Sequence, residues 1–183
     1  MRLHLLLTTG AAVAASALLA AGPALAMPID GTSGADHLVG TSVRDTVRGH
    51  QGADVIEGRG GPDRLFGDLG NDRVVGGAAR DVLEGGPGAD RLVGGPRGDF
   101  FHGGLGPDVV RAGGGADQLE TIQGRDRIFM GAGNDSLSFL DDDGVRAVID
   151  CGSGHDVVNY LGAIDTADVI RASCEDVNAN TSD

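Results

Sequence analysis

The chain has 183 residues and a formal net charge of −13, with 33 Gly, five Phe, one Tyr and no Trp. So few aromatics exclude an ordinary aromatic-filled core, and so acidic a chain is a poor nucleic-acid binder. Of the 27 acidic residues, 23 are Asp and four are Glu, a bias toward turns or oxygen ligands.

The first 26 residues read as a secretory signal peptide. A short basic start, Met1-Arg2-Leu3-His4, leads into an Ala/Leu-rich stretch, and Ala24-Leu25-Ala26 gives a small-x-small cleavage pattern. The competing reading is a retained membrane anchor, since about 20 apolar residues span a bilayer. Cleavage would remove Arg2 and no acid, taking the formal charge from −13 to −14. No later stretch is apolar enough to cross a membrane, and the expected location is extracellular.

From Gly31 the chain divides every nine residues, without a gap, to Ser138. Gly85-Gly86-Pro87-Gly88-Ala89-Asp90-Arg91-Leu92-Val93 is a representative unit. Position six is Asp in all twelve units, and position eight is a large apolar residue from Leu38 through Phe101 to Leu137. Positions one and four are Gly in nine units each. The glycines suit a turn over the first six residues. The last three suit a short strand with its middle residue pointing inward. A strand this short cannot bury its apolar residue alone, so units must stack, two units to an 18-residue coil. The fold expected is all-β: two facing parallel sheets around a thin aliphatic core.

Residues 18 apart then lie on neighbouring coils, about 4.8 Å from each other. Asp36, Asp54, Asp72, Asp90, Asp108 and Asp126 stack along one edge, here called the first. Asp45, Asp63, Asp81, Asp99, Asp117 and Asp135 stack along the second. Like charges at that spacing repel by about 3 kcal/mol at an effective dielectric of about 20. A hard divalent cation between coils would cancel the repulsion, with carboxylates and turn carbonyls as ligands, the set Ca²⁺ prefers. Zn²⁺ would want His or Cys, which the ladders lack.

This unit resembles the glycine-rich nonapeptide of the RTX (haemolysin-type) calcium-binding repeats, whose consensus is G-G-x-G-x-D-x-U-x. The resemblance covers 31–138 and, more loosely, 151–159. It implies a right-handed parallel β-roll with Ca²⁺ bridging successive turns on each edge. The sequence departs from the pattern unevenly. Position four is Gly throughout the first edge, but on the second it is Val43, Gly61, Ala79, Arg97, Gly115 and Gly133. A Cβ at a positive-φ position is disfavoured. The expectation is therefore five regular sites on the first edge, with only the Asp117/Asp135 site equally sound on the second.

Residues 139–177 read as an irregular repeat and cap, since repeat arrays need atypical ends. Asp141-Asp142-Asp143-Gly144 reads either as a turn lengthened by three residues or as a solvated acidic loop. Cys151 to Asn159 looks like one more unit, in which Asp156 could join Asp135 in a last site. Val169-Ile170 suggests a closing strand. Cys151 and Cys174, an even pair in an exported chain, suggest a disulfide. Residues 178–183 read as a frayed tail.

Neither a His-Glu-x-x-His helix nor a Gly-x-Ser-x-Gly elbow occurs, so an enzyme is not expected. A calcium-stabilised module is. Two alternatives stay open. One is a recognition surface for a cell-surface glycan or protein, built on outward residues such as Val75, Arg73, Arg91 and Arg111. The other is a remnant accessory domain of a secreted hydrolase.

Overall fold

The computed structural model describes residues 28–139, 145–160 and 168–179. Residues 1–26, read above as a signal peptide, Asp141–Gly144 and the residues beyond 179 lie outside the described residues.

Among the described residues seventeen strands make two parallel sheets, and successive strands alternate between them. One sheet stacks β1 (Pro28–Asp30), β3 (Thr46–Arg48), β5 (Arg64–Phe66), β7 (Val82–Pro87), β9 (Phe100–Leu105), β11 (Gln118–Gln123), β13 (Ser136–Phe139), β15 (Val157–Tyr160) and β17 (Asp176–Ala179) in that order. The other stacks β2 (His37–Val39), β4 (Val55–Arg59), β6 (Arg73–Gly77), β8 (Arg91–Gly95), β10 (Val109–Gly114), β12 (Arg127–Ala132), β14 (Val148–Asp150) and β16 (Val169–Ile170). Alternation between two parallel sheets is the signature of a β-roll, and it follows from the nine-residue unit: one turn, one strand, then the opposite sheet.

The register repeats at 18 residues through the body, as in Val55 opposite Arg73 and Leu65 opposite Leu83. Position eight fills the core as expected. Val47, Ile56, Leu65, Val74, Leu83, Leu92, Phe101 and Val110 are all fully buried. Here aliphatic side chains from two sheets meet face to face, and stacking rather than aromatic bulk supplies the burial.

Three features differ from the sequence expectation. First, the longer strands run on into positions one to three of the next unit, as in Val82–Pro87. Alternation then turns positions six, eight and one inward together, so the thin core is also lined by aspartates and small residues. Ala112, Met130 and Cys151 stand at position one and join the core. Second, strand pairing begins before Gly31. Pro28–Asp30 pairs with Thr46–Arg48, with Pro28 at the strand's first residue, where its missing N–H matters least. Third, Asn178 and Ala179 belong to β17, paired with β15, where the sequence placed the start of a tail.

In the cap the register opens to 21 residues, with Arg127 opposite Val148 and Ser136 opposite Val157. The coil between Arg127 and Val148 is thus lengthened by three residues. Val169-Ile170 closes the second sheet against β14. Cys151 and Cys174 are disulfide-bonded, with Cα atoms 5.1 Å apart.

Candidate metal centre

Each ladder is held by a repeated contact. The backbone N–H of one aspartate donates to Oδ1 of the aspartate on the next coil: Asp54 to Asp72, Asp72 to Asp90 and Asp90 to Asp108, all at 2.8 Å. The second edge is the same, with Asp45 to Asp63, Asp63 to Asp81 and Asp81 to Asp99 at 2.8 Å. The ladder then runs Asp99 to Asp117, Asp117 to Asp135 and Asp135 to Asp156. Asp36 and Asp126 complete the first edge. Every sequence-predicted aspartate therefore stands on its expected ladder.

The surroundings are drier than an edge suggests. From Asp45 onward the ladder aspartates are at most 2 % exposed. From Asp54 onward one oxygen of each carboxylate is spent on the neighbouring coil. The other is buried without a hydrogen-bond partner at Asp63, Asp81 and Asp99 on the second edge and at Asp72, Asp90 and Asp108 on the first, with the same pattern at Asp54, Asp117, Asp135 and Asp156. An orphaned buried carboxylate oxygen is costly, and a row of them calls for a common partner.

The electrostatics agree. Burial pushes Asp63, Asp99 and Asp108 up to about 7, aided by the charges of their ladder neighbours and opposed by the N–H they accept. Burial pushes Asp90 and Asp117 up to about 6, against the same kind of N–H bond. It also raises Asp54, Asp72, Asp81 and Asp135. A bound divalent cation inverts this local logic by favouring the charged form.

The donor set fits Ca²⁺. Beside the orphaned oxygens of Asp54, Asp63, Asp72, Asp90 and Asp99 lies the carbonyl of the next coil's position one. An added Cβ on Gly49 would lie 2.4 Å from Asp54 Oδ2 and 2.6 Å from Gly67 O, and one on Gly85 would lie 2.5 Å from Asp90 Oδ2 and 2.6 Å from Gly103 O. Carboxylate and carbonyl oxygens thus converge at these steps. Among the described residues no three His, Cys, Asp or Glu side chains converge as a metal-holding group. Two carboxylates per step would act with turn carbonyls, a hard-oxygen set suited to Ca²⁺ and not to Zn²⁺.

The asymmetry expected at position four has a different physical basis. Val43, Ala79 and Arg97 are not at positive φ; the non-glycine residues that are, His50, Arg59 and Asp68, stand at position two. The roll instead uses two turn types, both of which occur on the second edge. On the first, Gly52, Gly70, Gly88 and Gly106 donate their N–H groups forward to the position-three carbonyls of Leu69, Pro87, Leu105 and Gln123. On the second, Gly115 and Gly133 donate forward to Ala132 and Ser153. Among the described residues Gly61, Ala79 and Arg97 make no such bond, and Gly61 is not at positive φ. Peptide planes are oriented differently in the two turns, so the carbonyls offered to a cation differ too.

Sequence reasoning missed two residue groups. Thr32 and Thr41, at position two of the first two units, cap the ladders. Each donates its N–H at 2.6 Å and its hydroxyl at 2.9 Å to Oδ2 of Asp36 or Asp45. Asp168 and Glu175 extend the ladders into the cap, accepting N–H bonds from Ala147 and Asp156 at 2.8 Å. A threonine four residues before the Asp ladder's start in each edge was no signal by itself, because position two varies freely along the array. The cap residues were hidden by the change of register from 18 to 21 and 19.

The family model for the RTX calcium-binding nonapeptide repeat matches four times, over residues 30–65, 66–96, 93–121 and 102–137. No curated protein matches the sequence.

Proposed function

Because the chain belongs to the RTX calcium-binding nonapeptide repeat family, we propose that it is a secreted module which binds Ca²⁺ between coils and folds on binding it. The row of buried, unpartnered aspartate oxygens carries this reading. Without a cation each represents a desolvated charge. With one, binding free energy becomes folding free energy. The family's β-roll is a structural calcium-binding module, and the role proposed here is structural rather than catalytic. Five bound ions would bring a processed chain from −14 to −4, since 5 × 2 = 10.

The five first-edge steps from Asp36 to Asp126, together with Asp117/Asp135, are the sites proposed as strongest, because they fall mainly on the forward-bonded turn. Asp45, Asp63, Asp81 and Asp99 would bind more weakly, and Asp156 would pair with Asp135. At the Asp36/Asp54 step the ion competes with Thr32 for Oδ2. The Ala24-Leu25-Ala26 pattern and a disulfide in the cap support export, where calcium is plentiful and thiols oxidise. Calcium titration of first-edge and second-edge Asp→Ala sets tests the assignment. Greater stoichiometric loss from the first set supports it, and equal loss from both refutes it.

A second reading rests on one observation. Arg73 and Arg91 stand directly opposite each other on β6 and β8, and neither makes an ion pair among the described residues. Stacked like charges on an acidic protein favour an anionic partner, such as an acidic glycan outside the cell. Retention of the folded protein on an acidic polysaccharide, lost in Arg73→Gln/Arg91→Gln, would support this surface; unchanged retention would remove it.

A further inference from the structure

The two ladders end differently in the cap. On the first edge the last carboxylate is Asp168. Its Oδ1 accepts the N–H of Ala147 at 2.8 Å, and its Oδ2 accepts the Tyr160 hydroxyl at 3.0 Å. Ala147 occupies the rung where a paired aspartate would stand, so among the described residues this rung has a single carboxylate, bonded at both oxygens by protein donors.

The second edge ends otherwise. Each rung lies one residue before the first paired strand residue of its coil: Asp135 before Ser136, and Asp156 before Val157. Val157 pairs with Asp176, so Glu175 is the next rung. Its Oε2 accepts the Asp156 N–H at 2.8 Å, the same contact that every internal aspartate makes through Oδ1. Asp156 itself is fully buried, and its Oδ2 has no partner. A second carboxylate, here on an exposed side chain, therefore stands next to an orphaned buried oxygen. The last coil spans 19 residues rather than 21, and glutamate's additional methylene gives this rung more reach than an aspartate would have.

The neighbourhood is tied down at the residue before Glu175. Cys174 is bonded to Cys151 in the core. Ser173 accepts the Cys151 N–H at 3.2 Å and donates its hydroxyl to Asp150 at 3.1 Å. The Cys174 N–H closes the turn on Arg171 O at 3.1 Å. The disulfide therefore fixes the position of the carboxylate that completes the step.

We infer that Asp156 and Glu175 form a terminal Ca²⁺ site, outside the matched repeats, whose second carboxylate is held in place by the Cys151–Cys174 disulfide. The inference rests on calcium binding by the ladders. It makes the cap more than an inert end: its last ion and its disulfide close the open end of the second ladder together. Reduction would loosen Glu175 and release the terminal ion while leaving the internal steps loaded.

The test counts ions on the full chain by equilibrium dialysis against Ca²⁺. Glu175→Gln keeps an oxygen to accept the Asp156 N–H, so the fold is retained while the charge is lost. The expected result is one ion fewer per chain. Asp168→Asn, at the end of the other ladder, is expected to bind the wild-type number. Disulfide reduction, and Cys174→Ser separately, should each cost the same single ion as Glu175→Gln. A Glu175→Gln protein that keeps the wild-type count overturns the terminal site while leaving the ladder reading intact. A reduced protein with the full count overturns the role of the disulfide. A wild-type chain that binds no calcium overturns the ladder reading and this site with it.

Discussion

Replacing Asp90 by Asn isolates charge from geometry. The amide keeps an oxygen for the Asp72 N–H, now accepted at 2.8 Å, so the ladder contact survives. Charge is lost at two steps, Asp72/Asp90 and Asp90/Asp108. At calcium about 100-fold above its dissociation constant, each occupied site stabilises the fold by about 2.7 kcal/mol, so two lost ions cost about 5 kcal/mol. A smaller opposing effect accompanies the loss. Burial pushes Asp90 up to about 6 from an ordinary 3.8. At about 1.4 kcal/mol per pH unit, that gap is about 3 kcal/mol for a fully dry carboxylate. The effective dielectric of about 20 that holds even at buried sites cuts it to on the order of 1–2 kcal/mol. The net expectation in saturating calcium at pH 8 is a loss of about 4 kcal/mol, or roughly 10 °C in thermal midpoint at this chain length. In chelator the sign reverses, and the variant gains residual structure over the wild type. Calcium counting by calorimetry and melting followed by circular dichroism, each with and without chelator, read both effects. An unchanged ion count, or equal destabilisation in calcium and in chelator, would refute the reasoning.

Three further outcomes follow from the same geometry. Gly70 has φ +152°, and an added Cβ would lie 1.5 Å from Gly52 O; Gly70→Ala should cost about 3 kcal/mol or more in urea unfolding with calcium present. Arg59 holds φ +76° at position two, where Gly77 and Gly86 relieve the same conformation elsewhere, so Arg59→Gly should stabilise the calcium-loaded protein by about 1 kcal/mol in the same assay. The ladder carboxylates have folded pKa values raised above 3.8, to about 6 at Asp90 and about 7 at Asp63 and Asp108. In chelator their contribution to stability is fully present below pH 3.8 and lost as the pH rises through 6 to 7, so chelated protein should show more β-structure at pH 5 than at pH 8. Protons compete with the cation over the same window, so the calcium needed for half-maximal folding should rise as pH falls from 8 to 5.

The body of the roll was legible because two columns never vary. Asp at position six and an apolar residue at position eight fixed the period, the coil and both ladders, and Leu83, Phe101 and Asp90 stand where those columns put them. The depth of the aspartates was less legible. Position one looked like a turn residue because nine glycines occupy it, yet strand alternation carries it inward. Only the late substitutions, Ala112 and Met130, hinted that the site is core. The positive-φ demand was assigned to position four alone, while His50, Arg59 and Asp68 show that position two also requires it. The cap was least legible. Its register shifts away from 18, so Asp168 and Glu175 fall out of phase with the columns that would identify them. Cys151 and Cys174 were readable because their chemistry does not depend on register.

The most direct test of calcium-driven folding is far-UV circular dichroism of the full chain at pH 8, in excess calcium and then in excess chelator. The account predicts strong β-structure with calcium, its loss in chelator and its return when calcium is restored. A β signal that persists undiminished in chelator would contradict it.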